Sequence, residues 1–349
     1  MDCILGPLLP LFERERAAGR AMALGILVHT VGSTYRKAGA MLLIASGSEY
    51  AGLISGGCLE GDLGERARAV IETGQAALVT YDLRHPDDLI WGLGLGCEGA
   101  MHILLLRVGP QEEWQPLAHL AAALASHRPS AFGVVTESQD PAVPLGALLL
   151  PTARASAPLL EPRVLAALAT AAGARVVSSL EGPGGRWRGL LVPLSLPPRL
   201  LLLGAGPDAL PVVDLAARLH WRVSLADHRP AYAVASHFPL AERVLLTRPE
   251  AIAGALDLRE FAAAVVMSHH LPSDLAYLRA LSASPIAYIG LLGPPARRDK
   301  LLSELGPEAE RLRPRLRAPV GLNLGGRTPE AIALAIVAQI QAFLHGMLE

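Results

Sequence analysis

The segment from residue 199 to residue 230, RLLLLGAGPDALPVVDLAARLHWRVSLADHRP, limits the possible folds of this chain more than any other stretch. It begins with an uninterrupted apolar run, typical of a strand buried on both faces of a parallel sheet. A glycine turn, a segment with apolar residues at helical spacing and a second short strand follow. This order predicts the start of a doubly wound α/β sheet.

The turn in this segment has the spacing G-x-G-x-x-A, formed by Gly204, Gly206 and Ala209. The first glycine permits a tight turn, the second lets a phosphate approach the backbone, and the small third residue lets the helix pack on the strand. Asp227 ends the next strand, at the interval where dinucleotide-binding folds place a ribose-binding carboxylate. These residues predict a nucleotide-like or phosphate-bearing ligand. The alternative is that the glycines only permit the turn and that Asp227 caps a loop.

The pattern of strands and helices continues beyond this segment. AERVLL, AAAVVMSHH and PIAYIGLLG are predicted strands, with helical segments PEAIAGALDL and SDLAYLRALSAS between them. We therefore predict a Rossmann-like doubly wound parallel sheet over residues 199–349. His269 is predicted at a strand end, where ligands bind in such sheets, so it either contacts a ligand or makes an ordinary loop hydrogen bond. Adjacent histidines on a strand point to opposite faces, which argues against a shared metal ion.

Residues 1–198 differ in composition and predict a separate N-terminal α/β domain. Its first part, residues 1–109, contains short β-like runs (ALGILVHT, AMLLIA, YAGLIS, MHILLLRV) joined by glycine-rich turns. Its second part, residues 110–198, is rich in Ala, Leu and Pro and ends in LVPLSLPP, which we interpret as an extended linker.

Two cysteines of this domain follow glycine-rich stretches. Cys58 comes after Gly56 and Gly57 in GLISGGCLEGDL, just before a predicted helix, and Cys97 lies in WGLGLGCEGAM. A helix N-terminus stabilises a thiolate, and glycines let a ligand come close. The alternative is that each thiol is a small buried apolar group, the commonest role of a free cysteine.

A third glycine-bearing segment, TVGSTYRKAGAMLLI, places Arg36 and Lys37 beside hydroxyl groups in a predicted loop. Such a loop suits a phosphate, but a solvated hairpin loop would have the same composition.

Composition excludes several classes of function. The chain has 31 basic and 32 acidic residues, a net charge of −1, which gives no electrostatic reason for binding nucleic acid or a membrane surface. Its apolar runs are too short for a transmembrane helix, and the N-terminus lacks the basic and small-residue features of a secretory signal. Three scattered cysteines indicate a reducing compartment, so we expect a cytoplasmic protein.

Taken together, the motifs resemble the XdhC/CoxI family, the accessory proteins of xanthine dehydrogenase and related molybdenum hydroxylases. The N-terminal resemblance rests on GSTYRKAGAMLLI, GLISGGCLEGDL and GLGLGCEGAM. The C-terminal resemblance rests on the glycine-turn segment, VVMSHHLPSDLAYLRAL, YIGLLGPPARRDKLL and APVGLNLGGRTPEAIALAIVAQI.

The resemblance implies a chaperone for the molybdenum cofactor, as molybdopterin or its dinucleotide form, rather than a catalyst. Such a protein protects the cofactor, supports its sulfuration and delivers it to the apo-hydroxylase. A cysteine desulfurase partner and a homodimer are also implied.

The resemblance assigns cofactor-binding roles to nine residues, with Cys58 as a contact to molybdenum or sulfur. They are Arg36, Gly56, Gly57, Cys58, Cys97, Gly204, Gly206, Asp227 and His269. Three positions depart from the family pattern: Ala38, Glu98 and Ala209. Of these, Glu98 puts a carboxylate beside Cys97. Two rival interpretations are an NAD(P)-dependent oxidoreductase that uses the same glycine turn and a nucleotide-sensing adaptor that transfers no cofactor.

Overall fold

The computed structural model describes residues 5–47, 49–57, 59–82 and 99–348, and these divide between two compact units. The first unit is Met1–Leu196 and the second is Pro197–Glu349. Each unit has its own sheets and its own buried apolar clusters. We describe each of them by itself.

Two antiparallel sheets form the frame of the first unit. The five-stranded sheet has the order β3-β2-β1-β5-β4, and the four-stranded sheet has the order β7-β6-β9-β8. The strands are β1 (Met22–Gly32), β2 (Met41–Ala45), β3 (Tyr50–Gly52), β4 (Ala77–Asp82), β5 (Gly99–Val108), β6 (Ala131–Ser138), β7 (Leu148–Leu149), β8 (Ser178–Glu181) and β9 (Trp187–Pro193). The helices are α1 (Leu9–Ala17), α2 (Glu60–Thr73), α3 (Leu117–Ala125) and α4 (Pro162–Ala172).

Alternation along the central strands builds a core on each face of the five-stranded sheet. Along β5, Ile103 and Leu105 point to the cluster that α2 covers, whereas Leu104 and Leu106 point to a cluster shared with α1, α3 and the second sheet. The segment interpreted as a linker differs from prediction at its start, because Leu191–Pro193 belong to β9 and pair with β6. Pairing with β6, which is remote in sequence, makes these three residues a strand rather than a linker.

The second unit is a six-stranded parallel sheet with helices on both faces. Its strands are β10 (Arg199–Leu203), β11 (Arg222–Asp227), β12 (Arg243–Leu246), β13 (Ala263–Val266), β14 (Tyr288–Leu291) and β15 (Leu316–Arg317). Its helices are α5 (Ala209–Arg218), α6 (Ile252–Ala255), α7 (Leu271–Ser282), α8 (Pro295–Leu305), α9 (Ala309–Leu312) and α10 (Pro329–Leu344). The strand order is β12-β11-β10-β13-β14-β15. From β10 the chain adds β11 and β12 on one side of the sheet and then returns to add β13, β14 and β15 on the other side of β10. This order confirms the predicted Rossmann-like doubly wound sheet.

A partly buried arginine fixes the end of α7 in this unit. The Arg315 guanidinium donates hydrogen bonds to the backbone carbonyls of Leu281, Ser282, Ser284 and Ile286. Leu281 and Ser282 lie in the last turn of α7, where helix carbonyls have no partner within the helix, and Ser284 and Ile286 follow it. Burial lowers the pKa of Arg315. The contact therefore holds the chain between α7 and β14.

Candidate functional site

The turn between β10 and α5 can be formed only with glycine at position 204. Gly204 has a φ of +124°, and a Cβ added there would lie 2.6 Å from the Met267 carbonyl oxygen and 2.7 Å from the Ser268 amide nitrogen. Both atoms are backbone, so neither can move away. The turn therefore packs tightly against the end of β13, which is where the fold places ligands.

The Asp227 carboxylate is fully buried at the end of β11 and is engaged by its own protein. It accepts hydrogen bonds from the Ala205 amide at 2.8 Å, the Arg229 amide at 2.9 Å, and Nε and Nη2 of Arg229 at 2.9 and 2.7 Å. Burial opposes ionisation, but the hydrogen bonds from Arg229 and Ala205 outweigh it and lower the pKa of Asp227. The carboxylate thus ties the glycine turn to the loop after β11.

Arg229 is the more exposed residue of the Asp227–Arg229 ion pair. Its guanidinium carbon lies 3.9 Å from the centre of the Tyr232 ring, so the cation lies over the face of the aromatic ring. Tyr232 and Phe238 line a cavity of about 430 Å³ together with Ala205, Pro207 and Leu210 of the turn and α5. A flat apolar group could lie in this cavity beside the turn.

His269 follows β13 in a conformation that the sequence did not predict. β13 ends at Val266, and His269 has a φ of +57°. The premise that His269 and His270 alternate along a strand was therefore wrong. Nε2 of His269 lies 2.7 Å from Oδ2 of Asp208, the residue before α5. The structure thus places His269, together with the Asp208 carboxylate, at the same turn as Gly204.

The neighbouring loops are tied together by a second buried carboxylate. Asp274 accepts a hydrogen bond from the Ser268 hydroxyl at 2.5 Å and from Nε and Nη2 of Arg297 at 3.0 and 2.6 Å. Ser268 follows β13 and Arg297 lies in the first turn of α8, so this contact joins the ends of β13 and β14. The arrangement fixes the positions of the loops around the turn.

Two buried polar atoms near these carboxylates have no hydrogen-bond partner in the described part of the chain. They are Nδ1 of His228 and the hydroxyl of Tyr277. Burial and the negative charges of Asp227 and Asp274 raise the pKa of Tyr277, so it stays protonated. Nδ1 of His228 lies 3.6 Å from Oδ1 of Asp227, which is too long for a hydrogen bond. A buried polar atom without a hydrogen bond costs free energy, so both atoms reduce the stability of this edge.

In the first unit, Ser55 and Glu60 hold the two sides of the predicted thiol loop. The Glu60 carboxylate accepts hydrogen bonds from the Ser55 hydroxyl, from the Ser55 amide at 3.0 Å and from the Leu59 amide at 3.2 Å. Burial opposes ionisation of Glu60, but the hydrogen bonds from Ser55 lower its pKa overall. The carboxylate is thus committed to fixing the loop.

The glycines of that loop leave space beside them. A Cβ added at Gly56 or Gly57 would meet no atom of the described residues within 4 Å, and Gly57 has a φ of +101°. Cys58 itself lies outside the described residues, as does Cys97 with Glu98. Their predicted roles therefore remain predictions.

Arg36 lines a cavity of about 530 Å³ with Lys37 and Arg175. Arg175 comes from the second part of the unit, so the fold brings a third cation to the motif loop. Among the described residues that line this cavity, neither Gly56 nor Gly57 occurs.

No group of three or more His, Cys, Asp or Glu residues able to hold a metal ion was found in the described part of the chain. No helix among those residues is long and apolar enough to cross a membrane.

Sequence profiles of known families match both units. The profile of the XdhC and CoxI family matches residues 15–82, and that of the XdhC Rossmann domain matches residues 200–340. A Bacillus subtilis protein named as a probable xanthine dehydrogenase subunit is 34% identical over 325 residues, which cover 91% of each chain. The chain belongs to the XdhC and CoxI family.

Two further proteins are similar to this chain. The Escherichia coli protein YqeB, described as uncharacterized, is 32% identical over 146 residues, 41% of this chain and 27% of its own length. A crystal structure described as a xanthine dehydrogenase from Bacillus halodurans is 28% identical, with a TM-score of 0.77, and covers 100% of this chain and 97% of its own. The family resemblance and the predicted fold class are thus confirmed.

Three residues of the site were not singled out from the sequence. The glycine-turn pattern describes only backbone requirements, so it leaves the residue type at position 208 unspecified and does not extend to Tyr232 or Arg297. Two signals were available. Asp208 lies inside the turn motif, and Arg229 with Tyr232 follows the strand that ends in Asp227.

Proposed function

We propose that this XdhC-family chain is a molybdenum cofactor-binding accessory chaperone for a molybdenum hydroxylase such as xanthine dehydrogenase. The observation that carries the proposal is the 34% identity, over 91% of both chains, to a protein named as a xanthine dehydrogenase subunit. The chaperone would protect the cofactor, support its sulfuration and deliver it to the apo-hydroxylase in the cytoplasm. A cysteine desulfurase and a second copy of the chain are the other proposed partners.

The second unit offers groups that fit a cofactor with a flat ring system and a phosphate. The 430 Å³ cavity beside the turn has the aromatic walls that a ring needs. Arg229, His269 and the helix N-terminus at Ala209 supply positive charge or hydrogen-bond donors for a phosphate.

Asp208 modifies how an anion would bind at this turn. Its Oδ1 atom lies 2.6 Å from the position of a Cβ added at Gly206, the glycine predicted to approach the phosphate. Its other oxygen is held by His269. A phosphate would have to displace this carboxylate, after which His269 could donate to the phosphate instead. Asp227, by contrast, would hold Arg229 and the turn in place rather than contact a ribose.

The first unit contains the proposed thiol contact. The bound cofactor supplies a molybdenum centre with a dithiolene and, once sulfurated, a terminal sulfur ligand. Cys58 is the proposed contact to this centre, and Gly56 and Gly57 would admit the pterin to the loop. The hydrogen bonds that the Ser55 and Leu59 amides donate to Glu60 would fix the loop on both sides of position 58. Cys97 and Arg36 complete the proposed set.

The test is pterin and metal analysis of the full chain, purified anaerobically from a host that makes molybdenum cofactor. We expect near-stoichiometric pterin and molybdenum, with reduced retention or transfer in Cys58→Ala and in Arg229→Ala. Arg259→Ala is the control for Arg229→Ala, because Arg259 makes the same contact to an aspartate on the exposed surface. Wild-type protein that contains no pterin would contradict the proposal.

The alternative function is an NAD(P)-dependent oxidoreductase, which the strand order and the glycine turn favour. In that case Arg229 would favour NADP, since an arginine near this position accommodates a 2′-phosphate. Calorimetric titration with NAD⁺ and NADP⁺ distinguishes the two functions. Tight dinucleotide binding by protein free of pterin, unchanged in Cys58→Ala, would support the oxidoreductase.

A further inference from the structure

Two histidines face each other across neighbouring strands of the five-stranded sheet in the first unit. His29 of β1 and His102 of β5 are directly opposite partners in the antiparallel ladder. Side chains at such positions leave the sheet on the same face, with their Cβ atoms about 4.5–5.5 Å apart. The two imidazole rings are 5.4 Å apart between their centres and are tilted by 50°. Two side chains of the commonest metal-binding type therefore lie side by side.

A β-bulge in β1 gives His29 this direction. The register of β1 and β5 shifts between Leu27, which is opposite Ile103, and His29, which is opposite His102. In a regular strand Leu27 and His29 would point to the same face, and Leu27 belongs to the buried cluster that α2 covers. The extra residue of the bulge turns His29 to the other face, where His102 lies. Bulges are over-represented next to functional sites, where they re-aim a side chain, so this irregularity points to a role for His29.

The distance between the two rings matches the spacing that one metal ion imposes. A zinc–nitrogen bond is about 2.0–2.1 Å long and a ring nitrogen lies about 1.1 Å from the centre of its imidazole, so each ring centre lies about 3.2 Å from a bound ion. Two such centres are about 5.2 Å apart at a tetrahedral angle and at most about 6.4 Å apart. The observed distance of 5.4 Å is close to the tetrahedral value. Rotation about the Cβ–Cγ bond redirects a ring nitrogen and hardly moves the ring centre, so both rings can reach one ion without a change in the backbone.

Thr80 of β4 supplies a hydrogen-bond partner for the second nitrogen of one ligand. Its hydroxyl oxygen lies 3.1 Å from Nδ1 of His102, which is its opposite partner in the ladder between β4 and β5. When Nδ1–H donates to this oxygen, the lone pair is on Nε2, which can then bind a metal. Thr80 and His29 are exposed and His102 is half-buried, so an ion and its water molecules can reach the pair.

We propose that His29 and His102 bind a divalent transition-metal ion of the kind that imidazole prefers, such as Zn²⁺ or Cu²⁺. The described residues around the pair provide no third His, Cys, Asp or Glu ligand, so water fills the remaining positions. The ion is therefore held less tightly than at a structural zinc site with four protein ligands, and it exchanges with the solution. The site is distinct from the residues proposed to bind the molybdenum cofactor and does not depend on the proposed function.

Cu²⁺ is a suitable probe, because it binds most tightly among the first-row divalent ions and its electron paramagnetic resonance reports the coordinated nitrogens. The full chain, free of any affinity tag and with its thiols blocked by iodoacetamide, would be titrated with Cu²⁺ and studied by electron spin-echo envelope modulation. We expect the tightest ion to show the combination lines of two coordinated imidazoles. His29→Asn and His102→Asn should each weaken binding by about tenfold or more, since the second ligand on one ion acts at a high effective concentration. Unchanged circular dichroism would show that the fold is intact.

Two further substitutions locate the ion. His220→Asn changes an exposed histidine with a φ of +60°, which asparagine tolerates, and should leave the spectrum unchanged. His228 and His270 form a neighbouring pair in the second unit, but their ring centres are 6.0 Å apart, which requires an angle of about 140° at a shared ion. The proposal is overturned if the two-imidazole signal is lost in His228→Asn and kept in His29→Asn. A single imidazole in the wild type, or equal affinity in wild type and His29→Asn, would overturn it as well.

Discussion

Replacing Asp227 with asparagine should destabilise the second unit, because the carboxylate ties β10, β11 and Arg229 together. Asparagine keeps one acceptor oxygen but puts an amide where Arg229 donates from Nε or Nη2. Hydrogen bonds to charged groups contribute about 1.5–3 kcal/mol each, and removing one partner of a buried pair costs about 3–5 kcal/mol. Since the Arg229 side chain is 32% exposed and can be partly solvated, we expect a loss of about 3 kcal/mol.

Asp257 provides a matched control, because it repeats the same arrangement on the surface. Its carboxylate accepts from the amide, Nε and Nη2 of Arg259 at 3.0, 2.9 and 2.8 Å, but both side chains are exposed. Asp257→Asn should therefore unfold at the urea concentration of the wild type. The comparison separates the contact to the arginine, which both aspartates make, from burial and the additional hydrogen bond from Ala205, which only Asp227 has.

The assay is urea unfolding of the full chain with pulsed hydrogen exchange, read by mass spectrometry on peptides from β10 and β11. The pKa of Asp227 is lowered in the folded state, so its contribution is fully present above the unfolded value of about 3.9 and is lost as the pH falls toward the folded value. The difference between wild type and Asp227→Asn should therefore shrink in acid. A variant as stable as wild type at pH 7 that binds ligand poorly would refute this reasoning and assign Asp227 to the ligand.

Three further substitutions test the turn between β10 and α5 and the loop before α2. Gly204→Ala should destabilise the second unit by about 3 kcal/mol in the same urea assay, because alanine is strained at this φ and its Cβ would clash with the backbone. Gly254→Ala should not, because its Cβ would meet no atom of the described residues within 4 Å. Asp208→Asn should raise the affinity for pyrophosphate about three- to tenfold in calorimetry, by removing a carboxylate from the turn, and a lower affinity would mean that the carboxylate itself holds the ligand. Glu60→Gln should lower the stability of the first unit by about 2 kcal/mol in thermal unfolding, whereas the exposed Glu65→Gln should leave it unchanged.

The sequence predicted the second unit better than the first, for a physical reason. In β10 to α5, local signals agree, since a buried apolar run, a glycine turn and a helical pattern lie within about twenty residues. In residues 110–198 the sheet forms by pairing β6 with β9, whose sequences are about fifty residues apart. No local pattern carries that information, and the Ala-rich composition conceals the strands.

The candidate site shows the same division. Gly204 was predictable because a turn with a positive φ requires glycine, so this backbone conformation can be recognised in the sequence. The engagement of Asp227 by Arg229, and of Asp208 by His269, was not, because a carboxylate in a sequence does not reveal which donor it faces. The left-handed conformation of His269 was missed for a similar reason, since the end of β13 is set by its neighbours in the sheet.

The two buried carboxylates, Asp227 and Asp274, have a consequence for the thermodynamics of binding. Each fastens a loop at the carboxyl edge of the parallel sheet to another element, so the walls of the site are ordered before any ligand arrives. Conformational entropy that many sites lose on binding has here already been lost on folding. A ligand at this edge can therefore be held firmly by a small number of contacts, and released when only a few of them are broken.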